Sequence, residues 1–240
     1  MPLSKSDFTL LIPLKNRPRC TKRLINDLNK KKFPYEIIIA DGGNDKNIEQ
    51  ILSNKENYRN INFQYIKFPF DESLDDFYKK MSKAVDLIKT QTVCVMDNDD
   101  FIEIEGIKKC LSILEDFSFS SARGAILDNN KNLYDKYKSP IIKNTALERM
   151  IDQTKHFHGN WHNVTRTKHV VATWKLIEVV SPKNFRIVEQ INGYLLTLWG
   201  NSFRGDFPFI KHRSGERIKL SRGKLSDHFP PQEVWIKSNY

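Results

Sequence analysis

With 240 residues, 39% of them hydrophobic and 28% charged, the chain has material for one large domain or a domain with a small appendage, and its composition excludes a disordered polymer. The formal charge of +10 opens a nucleic-acid reading, but the basic residues are scattered, with clumps only at Lys30-Lys31-Lys32 and from Lys211 to Lys224, and no zinc-finger or RNP spacing accompanies them. No apolar run approaches membrane-spanning length, and the opening Met1-Pro2-Leu3-Ser4-Lys5-Ser6-Asp7 lacks the regions of a secretory signal.

In chain order, Phe8 to Leu14 reads as a first strand. Asn16 is placed to cap the following helix, with Pro18 in its first turn, Leu24, Ile25 and Leu28 as its apolar stripe, and Phe33-Pro34 as its end. Tyr35 to Ala40 is a second buried-type strand closing at the turn Asp41-Gly42-Gly43-Asn44-Asp45. A helix over 47–55 and a third strand over Ile61 to Ile66 follow. Ser73-Leu74-Asp75-Asp76 has capping-box spacing, with Asp in place of Glu, ahead of a helix whose Phe77, Met81, Ala84, Val85 and Ile88 share one face. The run from Thr92 to Asp97 is a strand ending in Asp97-Asn98-Asp99-Asp100. A helix carrying Ile107, Cys110, Leu111 and Leu114, and a strand over Ala122 to Leu127, complete the clear pattern.

Such alternation predicts an α/β fold with a mostly parallel sheet and helices on both faces. From about residue 129 the signal weakens. Asn129 to Asn132 is loop-like, residues 156–173 are polar and aromatic without clear period, Ile187 to Leu198 marks one helix ending near Gly200, and the basic tail after Arg204 looks irregular. Cys20, Cys94 and Cys110, odd in number and without a C-x-x-C pair, argue for reduced thiols in a cytosolic setting and against zinc, with Cys94 and Cys110 in the core.

Two buried-type strands therefore end in carboxylates, at Asp41 and at Asp97. They are separated by about 55 residues, close to two β-α units, so in a parallel sheet both ends fall on one rim where a ligand can touch both. By itself the acidic cluster fits either a solvated turn or a site for a hard divalent cation. A dinucleotide fingerprint and a phosphate-binding P-loop are both absent.

The succession Leu11-Ile12-Pro13-Leu14-Lys15-Asn16-Arg17-Pro18, then Ile37-Ile38-Ile39-Ala40-Asp41-Gly42-Gly43-Asn44-Asp45, then Val95-Met96-Asp97-Asn98-Asp99-Asp100 resembles family 2 glycosyltransferases of the GT-A fold, in the bacterial branch with K-N-R-P and D-N-D-D-F motifs. The good match covers about residues 8 to 127, and Gly43 departs from the serine of many relatives. The resemblance implies a nucleotide-sugar-binding half, 1–128, and an acceptor-binding half with the basic tail, 129–240. Pro13, Arg17 and Asp41 would surround base and ribose, with Asp41 accepting from the base imide, which favours uracil or thymine. Asp97, Asn98, Asp99 and Asp100 would manage the diphosphate through Mn²⁺ or Mg²⁺. Asp99 would be the direct ligand, Asp97 would contact ribose or a metal-bound water, and Asp100 would ligate or cap the next helix. Glu189 would be the general base, with His162 and Asp206 in reserve. Trp161, His162 and Arg166 would form a sugar or acceptor wall, and Lys80 either faces the diphosphate or stands on the surface.

The function so implied is metal-dependent, inverting sugar transfer to a glycan or lipid-linked acceptor in cell-surface polysaccharide synthesis. The protein would act in the cytoplasm, with the tail from Lys211 to Lys224 either docking on an anionic membrane or forming a solvated basic face. Two other readings stay open. A sugar nucleotidylyltransferase would carry a glycine-rich basic loop after the first strand, and Pro13 to Arg19 holds no glycine. A non-catalytic nucleotide- or nucleic-acid-binding module would have lost its carboxylates, and all are present.

Overall fold

A computed structural model describes residues 7–127, 139–155, 157 and 159–212. Its first half follows the predicted alternation: β1 (Phe8–Leu14), α1 (Pro18–Lys30), β2 (Glu36–Asp41), α2 (Lys46–Ser53), a short 3₁₀ turn (Lys55–Tyr58), β3 (Asn62–Lys67), α3 (Leu74–Val85) and β4 (Thr92–Val95). These strands are parallel in the order β3-β2-β1-β4. The chain winds outward from β1 to β3, then crosses back through α3 to the far side of β1. Strand order thus reverses between β1 and β4, and in open α/β sheets ligands bind outside the carboxyl ends of the strands at such a reversal.

The strands are apolar throughout because both faces are covered. On one face Leu24, Ile25 and Leu28 of α1 and Ile48 of α2 join Leu10, Ile12, Ile37 and Ile39. On the other, Phe77, Met81 and Val85 of α3 meet Leu11, Ile38 and Val93.

The second half extends the same sheet. It comprises β5 (Phe101–Ile102), α4 (Ile104–Ile113), β6 (Phe119–Leu127), α5 (Ala146–Lys155), β7 (Val164–Arg166), α6 (Thr167–Val180), α7 (Phe185–Trp199) and β8 (Asn201–Lys211). The full order is β3-β2-β1-β4-β7-β6-β8-β5, with β7 antiparallel to β4 and β6, and β5 antiparallel to β8. The stretch without a clear period thus holds β7 and α6. Apolar residues ring α6, with Val170, Trp174 and Ile177 buried and Leu176, Val179 and Val180 exposed, so no single stripe stands out. The residues after Arg204 are strand rather than irregular tail as far as Lys211. Gly205 and Pro208 disguise this, because they fall where Arg123 pairs Arg204 and Ala125 already pairs Pro208. Gly124 lies inside that slip, where a Cβ would stand 2.4 Å from the Phe207 carbonyl. The predicted loop at Asn129 to Asn132 and the basic clump beyond His212 lie outside the described residues.

Candidate active site

Beyond Met96, whose N–H donates to Leu11 O at 3.0 Å, β1 outruns β4 and pairs only with β2, Pro13 opposite Ala40. The missing proline N–H therefore falls where the β4 ladder has ended. Next, Asn16 and Arg17 adopt left-handed backbone, φ 60° and 64°, which costs about 1–2 kcal/mol per residue for an L-amino acid. Asn16 does not cap α1. Arg17 holds the cap position without a side-chain bond, while Asn16 Oδ1 accepts from the N–H groups of Asn44 and Asp45, at 2.9 and 3.0 Å. That pins the turn after β1 to the turn after β2. The Arg17 guanidinium reaches the end of β4, with Nη2 2.7 Å from Asp99 Oδ2 and Nη1 3.2 Å from Asn98 Oδ1. Burial lowers the Arg17 pKa, but the charge and hydrogen bond of Asp99 outweigh it and the net direction is up.

Asp41 is fully buried. Its Oδ1 accepts from Gly43 N–H at 2.7 Å, and its Oδ2 from the Tyr65 hydroxyl at 2.8 Å and Lys67 Nζ at 2.9 Å. Tyr65 and Lys67 belong to none of the sequence motifs, though their i, i+2 spacing at the end of β3 puts them on one face. Gly43 has a local reason to replace serine, because a Cβ there would meet Asn16 N at 2.5 Å. Lys80 is not a surface lysine. It is buried on α3, donating to Leu14 O at 2.9 Å and to the buried carboxylate of Asp71, which no sequence motif marks.

At the end of β4, Asp97 is the most open carboxylate, Asn98 donates to Thr21 Oγ1 at 3.0 Å, and Asp99 and Asp100 are buried. Asp100 does not cap α4, whose cap position is Glu103. Instead Asp100 Oδ1 lies 2.9 Å from Nδ1 of buried His212, and its Oδ2 lies 3.7 Å from His162 Nε2, which stands 3.9 Å from Asp97 Oδ2. No sequence signal separated His212 from the basic clump around it.

Arg166 leaves the predicted wall. It pairs with Thr92, at the opposite end of β4, and donates to the carbonyls of Phe119, Leu114 and Asp116 at 2.9, 2.8 and 3.0 Å. Trp161 packs edge-on against Trp174 and Phe185, at 5.9 and 5.3 Å between centroids. Glu189 is half-buried in the second turn of α7, beside Val188, which lines a small cavity together with Val95 and Trp161. Asp206 is exposed on β8.

No three His, Cys, Asp or Glu side chains among the described residues form a ready metal cage, since Asp99 is turned to Arg17 and Asp100 to His212. The donor set nonetheless fits a cation that takes one or two carboxylates and completes its shell with substrate phosphates. His162 facing both Asp97 and Asp100 adds a nitrogen, which suits Mn²⁺ better than the harder Mg²⁺.

The sheet reverses order between β1 and β4 and carries acidic turns at the ends of β2 and β4, and it superposes on solved glycosyltransferases of the GT-A fold. Residues 9–173 match Glycosyl transferase family 2, and the chain belongs to that family, whose chemistry is sugar transfer. No individually curated protein matches the sequence. Among solved structures, Staphylococcus aureus TarS 1–349 superposes with a TM-score of 0.60 at 16% identity, covering 89% of this chain and 62% of that one. The same protein in complex with UDP-GlcNAc gives 0.62 at 17%, covering 89% and 60%. The Pyrobaculum calidifontis mannosyltransferase PcManGT, in complex with GDP-Man and Mn²⁺, gives 0.60 at 10%, covering 90% and 59%. This chain thus spans about six tenths of those solved chains, and at such identities the likeness concerns the fold.

Proposed function

We propose that the protein is a metal-dependent, inverting glycosyltransferase. It would move a sugar from a nucleoside-diphosphate donor, UDP or dTDP, to a glycan or lipid-linked acceptor in cell-surface polysaccharide synthesis. The observation that carries this reading is the set of side chains at the carboxyl ends of β1, β2 and β4: buried Asp41 after β2, and Arg17 bonded to Asn98 and Asp99 after β4. Asp41 accepts from the base imide, displacing the half-exposed Lys67 ammonium from Oδ2 while Tyr65 stays in place. Pro13 lines the base, and Asp97 and Asn98 face the ribose and diphosphate. Arg17, expected beside base and ribose, is bonded instead to Asn98 and Asp99, and from there it would swing to the diphosphate, where a guanidinium binds two oxygens at once.

Asp97, Asp99 and Asp100, with His162 beside them, would hold Mn²⁺ or Mg²⁺, which supplies charge stabilisation for the departing nucleoside diphosphate. Glu189 removes the proton of the acceptor hydroxyl as its oxygen attacks the anomeric carbon. The three buried thiols, Cys20, Cys94 and Cys110, suit a reducing compartment and support a reaction at the cytoplasmic face.

Calorimetric titration of UDP, dTDP, GDP and CMP, with and without Mn²⁺, tests the reading. Uridine and thymidine diphosphates should bind tightest and require the metal, and Asp99→Asn should abolish the metal effect and lower turnover by about 10²–10³-fold. Affinity indifferent to metal in both proteins would remove the cation. A Glu189→Gln variant that turns over at the wild-type rate would remove the base.

A further inference from the structure

His162 faces the acidic cluster because the loop from Gly159 to Asn163 is held from beneath. Arg204 and Arg123 both donate to Gly159 O, at 2.7 and 3.3 Å. Asn163 Nδ2 donates to Ser121 Oγ and to Asn160 Oδ1, each at 3.1 Å, and Cys94 Sγ donates to His162 O at 3.2 Å. Among the described residues of this well-bonded assembly, Asn160 Nδ2, Asn163 Oδ1 and Thr173 Oγ1 are buried and have no hydrogen-bond partner. Each belongs to a residue only 2% exposed. Buried polar atoms are seldom left unbonded, because desolvation is then not repaid.

The three residues share one cavity of about 20 Å³, walled by Val95, Trp161 and Val188. One water needs about 10–15 Å³ and two to four polar partners. The chemistry is complementary: the Asn160 amide donates, the Asn163 carbonyl oxygen accepts, and the Thr173 hydroxyl does either. We propose that this cavity binds a single ordered water bonded to all three atoms. Through that water α6 is bridged to the His162 loop, and Asn160, Asn163 and Thr173 act as positioning residues for His162.

Two substitutions at Thr173 separate this from simple packing. Thr173→Val keeps the shape and loses the hydroxyl, whereas Thr173→Ser keeps the hydroxyl and loses a methyl. A bridging water predicts that Val falls by about 2–4 °C and shifts the His162 ring resonances, while Ser, which loses only a buried methyl, falls less and leaves those resonances in place. The reverse order, Ser worse than Val, overturns the proposal. So does a high-resolution crystal structure of the wild-type protein in which the cavity is dry, where one density peak bonded to all three atoms is expected. The effect on turnover, a several-fold lower kcat for Val at unchanged donor KM, rests on the sugar-transfer reading. The density and the melting order stand apart from it, so the two can fail separately.

Discussion

Lys80 reads in sequence as one more lysine on an amphipathic helix, yet it is 3% exposed and paired with Asp71, itself 1% exposed. Burial pushes the Lys80 pKa down and that of Asp71 up, each opposed by the other's charge. A buried pair of this kind adds little net stability, but removing one partner strands the other. Lys80→Met alone should lower unfolding free energy by about 3–5 kcal/mol in urea titrations. The double change Lys80→Met with Asp71→Leu should recover most of that, and a double variant no better than the single one would show that Asp71 is not the stranded group. His169, stacked on Trp199 at 4.7 Å, gives a pH dependence. Burial, helped by the charges of Lys168 and Arg166, lowers its pKa to about 4. The unfolded chain takes up that proton near the ordinary histidine value of about 6.5. Its contribution is therefore intact above that value and lost as pH falls from about 6.5 toward 4. Melting midpoints measured across that window should fall less steeply for His169→Gln than for the wild type, and equal slopes would contradict this.

At the scale of elements, caps and turns separate what local chemistry dictates from what neighbours impose. The capping box expected at Ser73 is present: Asp76 N–H donates to Ser73 Oγ at 3.3 Å, and Ser73 N–H to Asp76 Oδ2 at 3.0 Å. Ser73→Ala should cost about 1 kcal/mol in thermal unfolding, and an unchanged midpoint would mean that α3 is held by packing alone. Thr145 and Glu148 carry an equal signal ahead of α5, where Thr145 N–H and Oγ1 reach the Glu148 carboxylate at 3.0 and 2.9 Å. Asn16 had the right residue type for a cap but serves the neighbouring turn instead. Residue type offered both roles, and only the approach of β2 selects one.

Across the whole molecule, the expected boundary at residue 128 is not a boundary of the fold. β7 from the second half pairs with β4, and β8 supplies partners to both β5 and β6. Val170, Trp174, Ile177 and Val188 close the core over Leu11, Ile38 and Phe77. A fragment of residues 7–127 should therefore lack a cooperative thermal transition and bind a hydrophobic dye. A sharp calorimetric transition in that fragment would show that the first half folds unaided.

The sequence by itself determined the four parallel strands, the helices α1 to α4 and the acidic ends at Asp41 and Asp97. Apolar runs, helical stripes and strand-end carboxylates are local patterns, legible within a few residues of the chain. Only the tertiary structure decided that Tyr65 and Lys67 serve Asp41, that Asp71 and Lys80 meet under the rim, that His162 and His212 face Asp100, and that Arg166 belongs to the opposite end of β4. Those pairings join residues from 9 to 112 positions apart, and sequence period carries no information about which distant strand end will close against which.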